Sequence, residues 1–404
     1  MTQSEQEAII AQSDTFLLPL YKRAKLALVG GEGAWLHAAD GRRLLDGTAG
    51  IAVNALGYGD VEVVAAIQQA ATGLLHTSNL YYTASVAELA QRLVDLTPWA
   101  SKAFFCNSGT EAIEASLKFA RRYTHNQRPE QQTGFVAFHD SFHGRSMGAL
   151  SVTSREAYRT PFNPLIPGVR FISLECDQAT LEATIDSSVA AVIIEPIQGE
   201  GGIRPISPEF AQALRRRCDQ VDAILIFDEI QCGMGRTGDV WAHEALGMTP
   251  DIMALAKPLG GGLPIGAVLV NERVAKALNY GDHGTTFGGN PFICAVANVV
   301  LQKLTHPTML DHVRSVGAEL GAGLRDLGER FDVISAVRGR GLIWGVEFKG
   351  PTAAQITDAA FDQGLLLVGS GNDVVRVIPP LVLGHNDAEE LVTRLGDAIS
   401  QVVS

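Results

Sequence analysis

Between about residue 100 and residue 271 the chain alternates short apolar runs with stretches of helical period. The runs are KAFFC, GFVAFHD, VRFISL, AAVIIEPI, AILIFDE, DIMALAK and GAVLVN. Their length and β-branched content predict strands, and the helices between them predict a mainly parallel sheet covered on its faces. Two helices have readable starts. EAIEASLKFARRYT lies behind Ser108 and Thr110, and PEFAQALRRRCD opens on Pro208 behind Ser207, residue types suited to a cap and a first turn.

From about residue 305 the pattern changes. A long helix, MLDHVRSVGAELGAGLRDLGER, is followed by strands AVRGRGLIWGVEF, GLLLVG and VVRVIP, with helices around the last two. This predicts a smaller α+β domain, which the N-terminal strands AWLHAADG and RRLLD are expected to join. The fold class is therefore α/β. Residues 1–60 are read as an N-terminal segment joining the small domain, 61–304 as the large domain and 305–404 as the small one.

Composition narrows the function. With 46% hydrophobic and 19% charged residues in 404, the chain can bury a large core. A net charge of -12 argues against a nucleic-acid partner, which needs an excess of clustered Lys and Arg. Cys106, Cys176, Cys218, Cys232 and Cys294 are scattered and lack metal-ligand spacing, so free thiols in a reducing compartment are expected, with no disulfide framework and no metal site. The polar, acidic N-terminus and the absence of a long apolar run predict neither signal peptide nor membrane span, and a cytoplasmic location.

Candidate chemistry gathers where the apolar runs end. Asp140, Glu195, Asp228 and Lys257 each stand at or just past such an end, where open α/β sheets place their ligand crevice, so the four are expected to converge. Ser108, Gly109 and Thr110 before a helix form either a phosphate cradle or an ordinary N-cap. Phe142 is suited to stack on a flat ring and Arg145 to hold a carboxylate, or else they are a core residue and a surface residue. Asp228 at a buried strand end calls for a cation such as a protonated pyridine nitrogen, or for backbone N–H groups in the next turn. Gln231 stands close enough in sequence to donate to the same ring. Lys257, between Ala256 and Pro258, has an apolar setting that lowers an amine's pKa and makes it nucleophilic. The spacing Gly233-Met-Gly235-Arg-Thr-Gly238 matches a dinucleotide fingerprint. Asp228, Glu229 and Gln231 intervene between strand and first glycine, and no clear helix starts at the third, so a glycine-rich loop is the better reading.

With Asp228, Gln231 and Lys257 in that order behind the Asn107–Thr110 helix start, the chain resembles the class III aminotransferases of pyridoxal 5'-phosphate (PLP) fold type I over nearly its whole length. Glu195-Pro-Ile-Gln-Gly-Glu200-Gly-Gly, His283-Gly-Thr-Thr286-Phe-Gly-Gly-Asn-Pro291 and Arg376-Val-Ile-Pro-Pro-Leu381 extend the match. Within the class it is most similar to the acetylornithine branch, through Gly50-Ile-Ala-Val-Asn54 and His76-Thr-Ser-Asn-Leu-Tyr-Tyr82. Ornithine δ-aminotransferases carry a tyrosine where Gly50 stands, so this glycine is expected to leave room for an acylated amine. The chain departs from the family at Gly57-Tyr-Gly-Asp-Val61, where Gly-His-x-His-Pro is common, and at Lys25, where proline is common.

The resemblance implies PLP as cofactor, held by Lys257 as a Schiff base. Gly109 and Thr110, beside Ser108, would hold its phosphate, Phe142 would stack on the ring, Asp228 would pair with the ring nitrogen and Gln231 would contact the ring oxygen. Thr286 would complete the phosphate site of the other subunit of a homodimer. Arg145 and Arg376 would anchor substrate carboxylates, Glu200 would be a removable partner of Arg376, and Ser78 and Asn79 would contact substrate. The implied reaction moves the terminal amino group of N2-acetylornithine to 2-oxoglutarate, in arginine biosynthesis. Succinylornithine, ornithine or 4-aminobutyrate on the same scaffold, a PLP-dependent racemase or mutase, and a nicotinamide dehydrogenase built on the Gly233–Gly238 loop stand as alternatives.

Overall fold

The computed structural model of the chain describes residues 3–129 and 133–404. After a helix at Gln3–Phe16, three short strands follow: β1 (Leu28–Glu32), β2 (Trp35–Ala38) and β3 (Arg43–Asp46). The central part contains β4 (Lys102–Cys106), β5 (Gly134–Phe138), β6 (Val169–Ile172), β7 (Val189–Ile194), a ribbon of β8 (Ile197–Gln198) and β9 (Arg204–Pro205), then β10 (Ile224–Asp228), β11 (Ile252–Leu255) and β12 (Gly266–Val270). The C-terminal part adds β13 (Ile334–Arg340), β14 (Ile343–Phe348), β15 (Leu365–Leu366), β16 (Val368–Ser370) and β17 (Val374–Val377).

All seven apolar runs fall in one sheet of order β4-β12-β11-β10-β7-β5-β6. Only β12 runs antiparallel to its neighbours. Every residue of β7, β10, β11 and β12 is buried, which is why these segments read as continuous apolar runs instead of alternating ones. The helix Gly109–Gln127 begins at its expected cap, with Ser108 Oγ accepting from Glu111 N. The helix Pro208–Val221 likewise begins behind Ser207, which accepts from Phe210 N.

The C-terminal strands form a second sheet, β13-β14-β17-β16. Here the expectation needs two corrections. AVRGRGLIWGVEF is a hairpin, because Gly341 at φ +55° turns the chain between β13 and β14. GLLLVG is split between two sheets: β15 pairs in parallel with β3, and β16 pairs with β17. The β15 pairing closes a third sheet, β1-β2-β3-β15, and ties the N-terminal strands to the C-terminal part.

Among the described residues no helix is long and apolar enough to cross a membrane, and the five cysteines are free thiols.

Candidate active site

The carboxyl ends of β4, β5, β7, β10 and β11 open onto a cavity of about 480 Å³. Asp228 closes β10, Lys257 opens the 3-10 turn behind β11, and the segments that follow β4, β5 and β7 complete the lining, at the edge where open α/β sheets place their ligand crevice. Ser108, Gly109, Thr110, Phe142, Arg145, Glu195, Glu200, Asp228, Gln231 and Lys257 all line it.

Asp228 ends β10 almost fully buried, at 5% exposure. Its Oδ2 lies 2.7 Å from His143 Nδ1, and its Oδ1 accepts from Ile230 N at 3.1 Å. The imidazole thus donates from Nδ1, while His143 Nε2 is buried without a hydrogen-bond partner among the described residues. Glu195, past β7, accepts from Phe142 N at 3.0 Å and from Gly199 N at 2.8 Å. Burial raises its carboxyl to about 7; the neighbouring Asp228 adds to the rise and His143 opposes it. The glutamate therefore ties the Phe142 loop to the Gly199 turn.

Lys257 follows β11, partly open to the cavity, and makes no hydrogen bond or salt bridge among the described residues. Desolvation, with the Arg376 guanidinium second, lowers its pKa to about 8. A neutral amine is therefore accessible near neutral pH.

Opposite, β17 supplies Arg376 at 1% exposure. Glu200 Oε1 sits 2.7 Å from its Nη1, Gln231 Oε1 accepts from the same Nη1 at 3.3 Å, and Gly369 O accepts from Nη2 at 3.2 Å. Gln231 can lie there because position 199 is glycine: a Cβ at 199 would meet Gln231 Oε1 at 2.2 Å. Arg145 is exposed at the mouth, its guanidinium 3.5 Å from the Tyr158 ring centroid and 5.6 Å from that of Phe142, within the range of cation–π attraction.

Several expected residues lie elsewhere. Asp140 leaves the convergent set: its φ of +63° turns it outward, exposed, with Arg204 at 3.8 Å. Ser78, Asn79 and Thr286 are exposed and do not line the cavity of their own chain. Asn79 Nδ2 instead donates to Thr285 O at 3.2 Å and Gly288 O at 3.0 Å, holding the 76–82 and 283–291 segments together. Gly50 is exposed and outside the lining, in a left-handed turn in which Ala49, Ile51 and Ala52 also have positive φ. His143 was visible in the sequence, but its pairing with Asp228 needed the fold to bring β5 and β10 together. Tyr58, one of the departures from the family pattern, donates to Asp46 Oδ2 at 2.7 Å, away from the cavity lining.

The group that fits this donor set has an aldehyde, a protonated ring nitrogen, a flat face and a phosphate. Lys257 would answer the first and Asp228 the second. Phe142 would offer the face, and the first-turn N–H groups of the helix at Gly109, which helix geometry leaves without internal acceptors, would answer the phosphate. That group is PLP.

A family model described as aminotransferase class-III matches residues 20–399. The chain is 44% identical to an acetylornithine aminotransferase from Xanthomonas axonopodis pv. citri, covering 96% of each chain. It is also 44% identical to a mitochondrial acetylornithine aminotransferase from Alnus glutinosa, covering 96% of this chain and 86% of the relative. Among solved structures it resembles an N-acetylornithine aminotransferase from Stenotrophomonas maltophilia, at TM-score 0.84, 38% identity, and coverage of 98% and 99%. An ornithine aminotransferase from Toxoplasma gondii gives TM-score 0.93 at 29% identity, with coverage of 98% and 96%. The backbone thus follows both kinds of enzyme, and side chains must separate them. The chain belongs to the class-III aminotransferases, enzymes that use PLP.

Proposed function

We propose that the protein transfers the terminal amino group of N2-acetylornithine to 2-oxoglutarate, giving N-acetylglutamate semialdehyde and glutamate in a ping-pong cycle of arginine biosynthesis. The observation that carries the reading is the Glu200–Arg376 pair at 2.7 Å. One pocket must serve two substrates in turn. Glutamate reacts at a carbon that bears a carboxylate, whereas acetylornithine reacts at a methylene with its carboxylate far away. An uncompensated guanidinium facing that methylene is costly, so Glu200 covers Arg376 for the amine and leaves it for glutamate. The pair is built for this: the Glu200 side chain is 29% exposed and the Arg376 side chain 2%. Arg376 stays held by Gln231 and Gly369 when Glu200 withdraws. Relatives at 44% identity that carry the acetylornithine aminotransferase name support the choice of amine.

PLP, when bound, supplies the electron sink for the carbon that loses its proton. Lys257 would hold the cofactor through its amine and, when that amine is free, would move a proton between the two carbons at its Nζ. Its pKa of about 8 suits both tasks near neutral pH. Asp228, oriented by His143, would hold a proton on the ring nitrogen, and Gln231 would donate to the ring oxygen. Arg145 at the mouth takes the carboxylate of either substrate that lies far from the reacting carbon. Ser108, Gly109 and Thr110 hold the phosphate, with Thr286 reaching it from the second subunit of a homodimer. Ser78 and Asn79 lie on the segment braced to the Thr286 loop and act from that side. The setting is cytoplasmic.

Initial rates with 2-oxoglutarate test the reading on N2-acetylornithine, N2-succinylornithine and ornithine, with wild type and Glu200→Ala. The acetylated donor should exceed ornithine in kcat/KM by about tenfold or more, and Glu200→Ala should raise KM for it more than for glutamate. A preference for ornithine, or equal effects of Glu200→Ala on both substrates, would overturn the reading.

A further inference from the structure

The glycine-rich loop Gly233–Gly238 binds no dinucleotide by geometry, since no helix opens at Gly238 and the next element is a 3-10 turn at Ala242–Leu246. At its centre Arg236 is fully buried. Its Nη1 alone donates to two carbonyls, Leu342 O at 3.0 Å and Pro379 O, and Leu342 N donates back to Arg236 O at 2.9 Å. Among the described residues its Nε and Nη2 have no hydrogen-bond partner, and no carboxylate forms a salt bridge with it.

The glycines are what let the backbones close on one another. A Cβ on Gly235 would lie 3.0 Å from Leu304 O and one on Gly341 2.5 Å from Arg236 O, while one on Gly238 would lie 2.5 Å from the Arg314 side chain. Asp239, next along the loop, takes Arg340 from β13.

The two carbonyls flank the strand pair that carries Arg376. Leu342 immediately precedes β14, in which Gly345 pairs with Arg376, and Pro379 follows closely behind Arg376 itself. On the other side, Arg236 lies in the same turn, residues 230–237, as Gln231, whose Oε1 contacts Arg376. A buried guanidinium with unpaired N–H edges stabilises a fold poorly compared with an apolar side chain of similar volume. Stability therefore gives a weak account of the residue, and registry a stronger one.

We infer that Arg236 is a positioning residue: by bridging Leu342 O and Pro379 O it sets Arg376 in register with Gln231, and so governs recognition of a carboxylate beside the reacting carbon, which the acylated amine lacks. The inference rests on the reading of Arg376 as the anchor for that carboxylate.

Steady-state kinetics of the holoenzyme decide it, with glutamate and N2-acetylornithine as alternative donors and Arg236→Met, Arg236→Lys and Arg376→Lys as variants. Arg236→Met should keep the visible absorption band of bound cofactor, raise KM for glutamate about tenfold and change KM for the acylated amine less than about twofold. Arg236→Lys should recover most of the loss, because one ammonium has donors enough for both carbonyls. Equal shifts for the two donors, or none, would overturn the inference. If Arg376→Lys raises KM for glutamate while Arg236→Met does not, this inference alone falls; if Arg376→Lys has no such effect, the anchor reading fails and takes this one with it. Should Arg236→Met not fold, Asp239→Asn on the same loop should give the same split at about threefold, and no split there counts against the inference.

Discussion

His143 shows how a single side chain outside the reacting set can control one inside it. Its Nδ1 donates to Asp228 at 2.7 Å while its backbone N is fixed by Thr153 Oγ1 at 2.9 Å. The residue is thus held at its backbone and at one ring nitrogen, and aims the carboxylate at the cavity, as outer ligands aim the inner ones of metal sites. A hydrogen bond to a charged group is worth about 1.5–3 kcal/mol. His143→Ala should therefore weaken PLP binding by roughly ten- to hundredfold, read from absorbance titration of the apoenzyme. An affinity unchanged within about twofold would mean that Ile230 N holds Asp228 well enough alone. At this scale Asp228 and Lys257 were legible, because an acid and a lysine at the ends of apolar runs break the local pattern. The partner of Asp228 was not, since 85 residues separate the two.

Among the elements, β12 is the odd strand of the central sheet and the one that presses on the helix start proposed to hold the phosphate. Gly266 opens it opposite Cys106, and a Cβ there would lie 2.4 Å from Ser108 O and 2.7 Å from Cys106 Sγ. The helix start at Ser108–Thr110 is therefore seated against bare backbone. Gly266→Ala should destabilise the fold by about 1–3 kcal/mol through overpacking and lower PLP affinity, because the displaced atoms belong to the cradle. Thermal denaturation beside Gly73→Ala, whose Cβ would meet nothing nearer than Ala70 O at 3.6 Å, checks the first part. If both alanines leave the melting temperature alike, the close approach is not felt. The strands themselves were legible because burial on both faces makes uninterrupted apolar runs. β15 was not: two residues have no period to read, and their pairing with β3 depends on where a distant segment arrives. The left-handed turn at Ala49–Ala52 was hidden for a different reason. Ala and Ile carry no sign of positive φ, a conformation that costs an L residue about 1–2 kcal/mol and is imposed by the surrounding structure.

On the scale of the whole molecule, the surface around Thr286 is unusual for a protein that works alone. Leu80, Tyr81, Tyr82, Tyr280 and Phe287 are 61–109% exposed. The His76 and Phe287 rings lie 5.2 Å apart and Asn79 bonds to Thr285 and Gly288, so the two segments form one apolar face. We read such a face as an interface between two copies of the chain, and the resemblance implies a two-fold dimer in which each Thr286 reaches the other chain's helix start at Gly109. Only the resemblance singles out Thr286, because a residue proposed to serve a partner's site has no cavity of its own to mark it. Complementation separates the two possibilities. Lys257→Ala removes the cofactor's anchor, and Thr286→Asp sets a negative charge against the phosphate; each homodimer should be inactive. If Thr286 acts across the interface, unfolding and refolding the two together gives mixed dimers with one intact site, that of the Thr286→Asp chain completed by Thr286 of the Lys257→Ala chain. Random reassociation makes half of the dimers mixed, so activity should return to about a quarter of wild type. If Thr286 acts within its own chain, no mixed dimer holds an intact site, and the refolded mixture should be as inactive as its components.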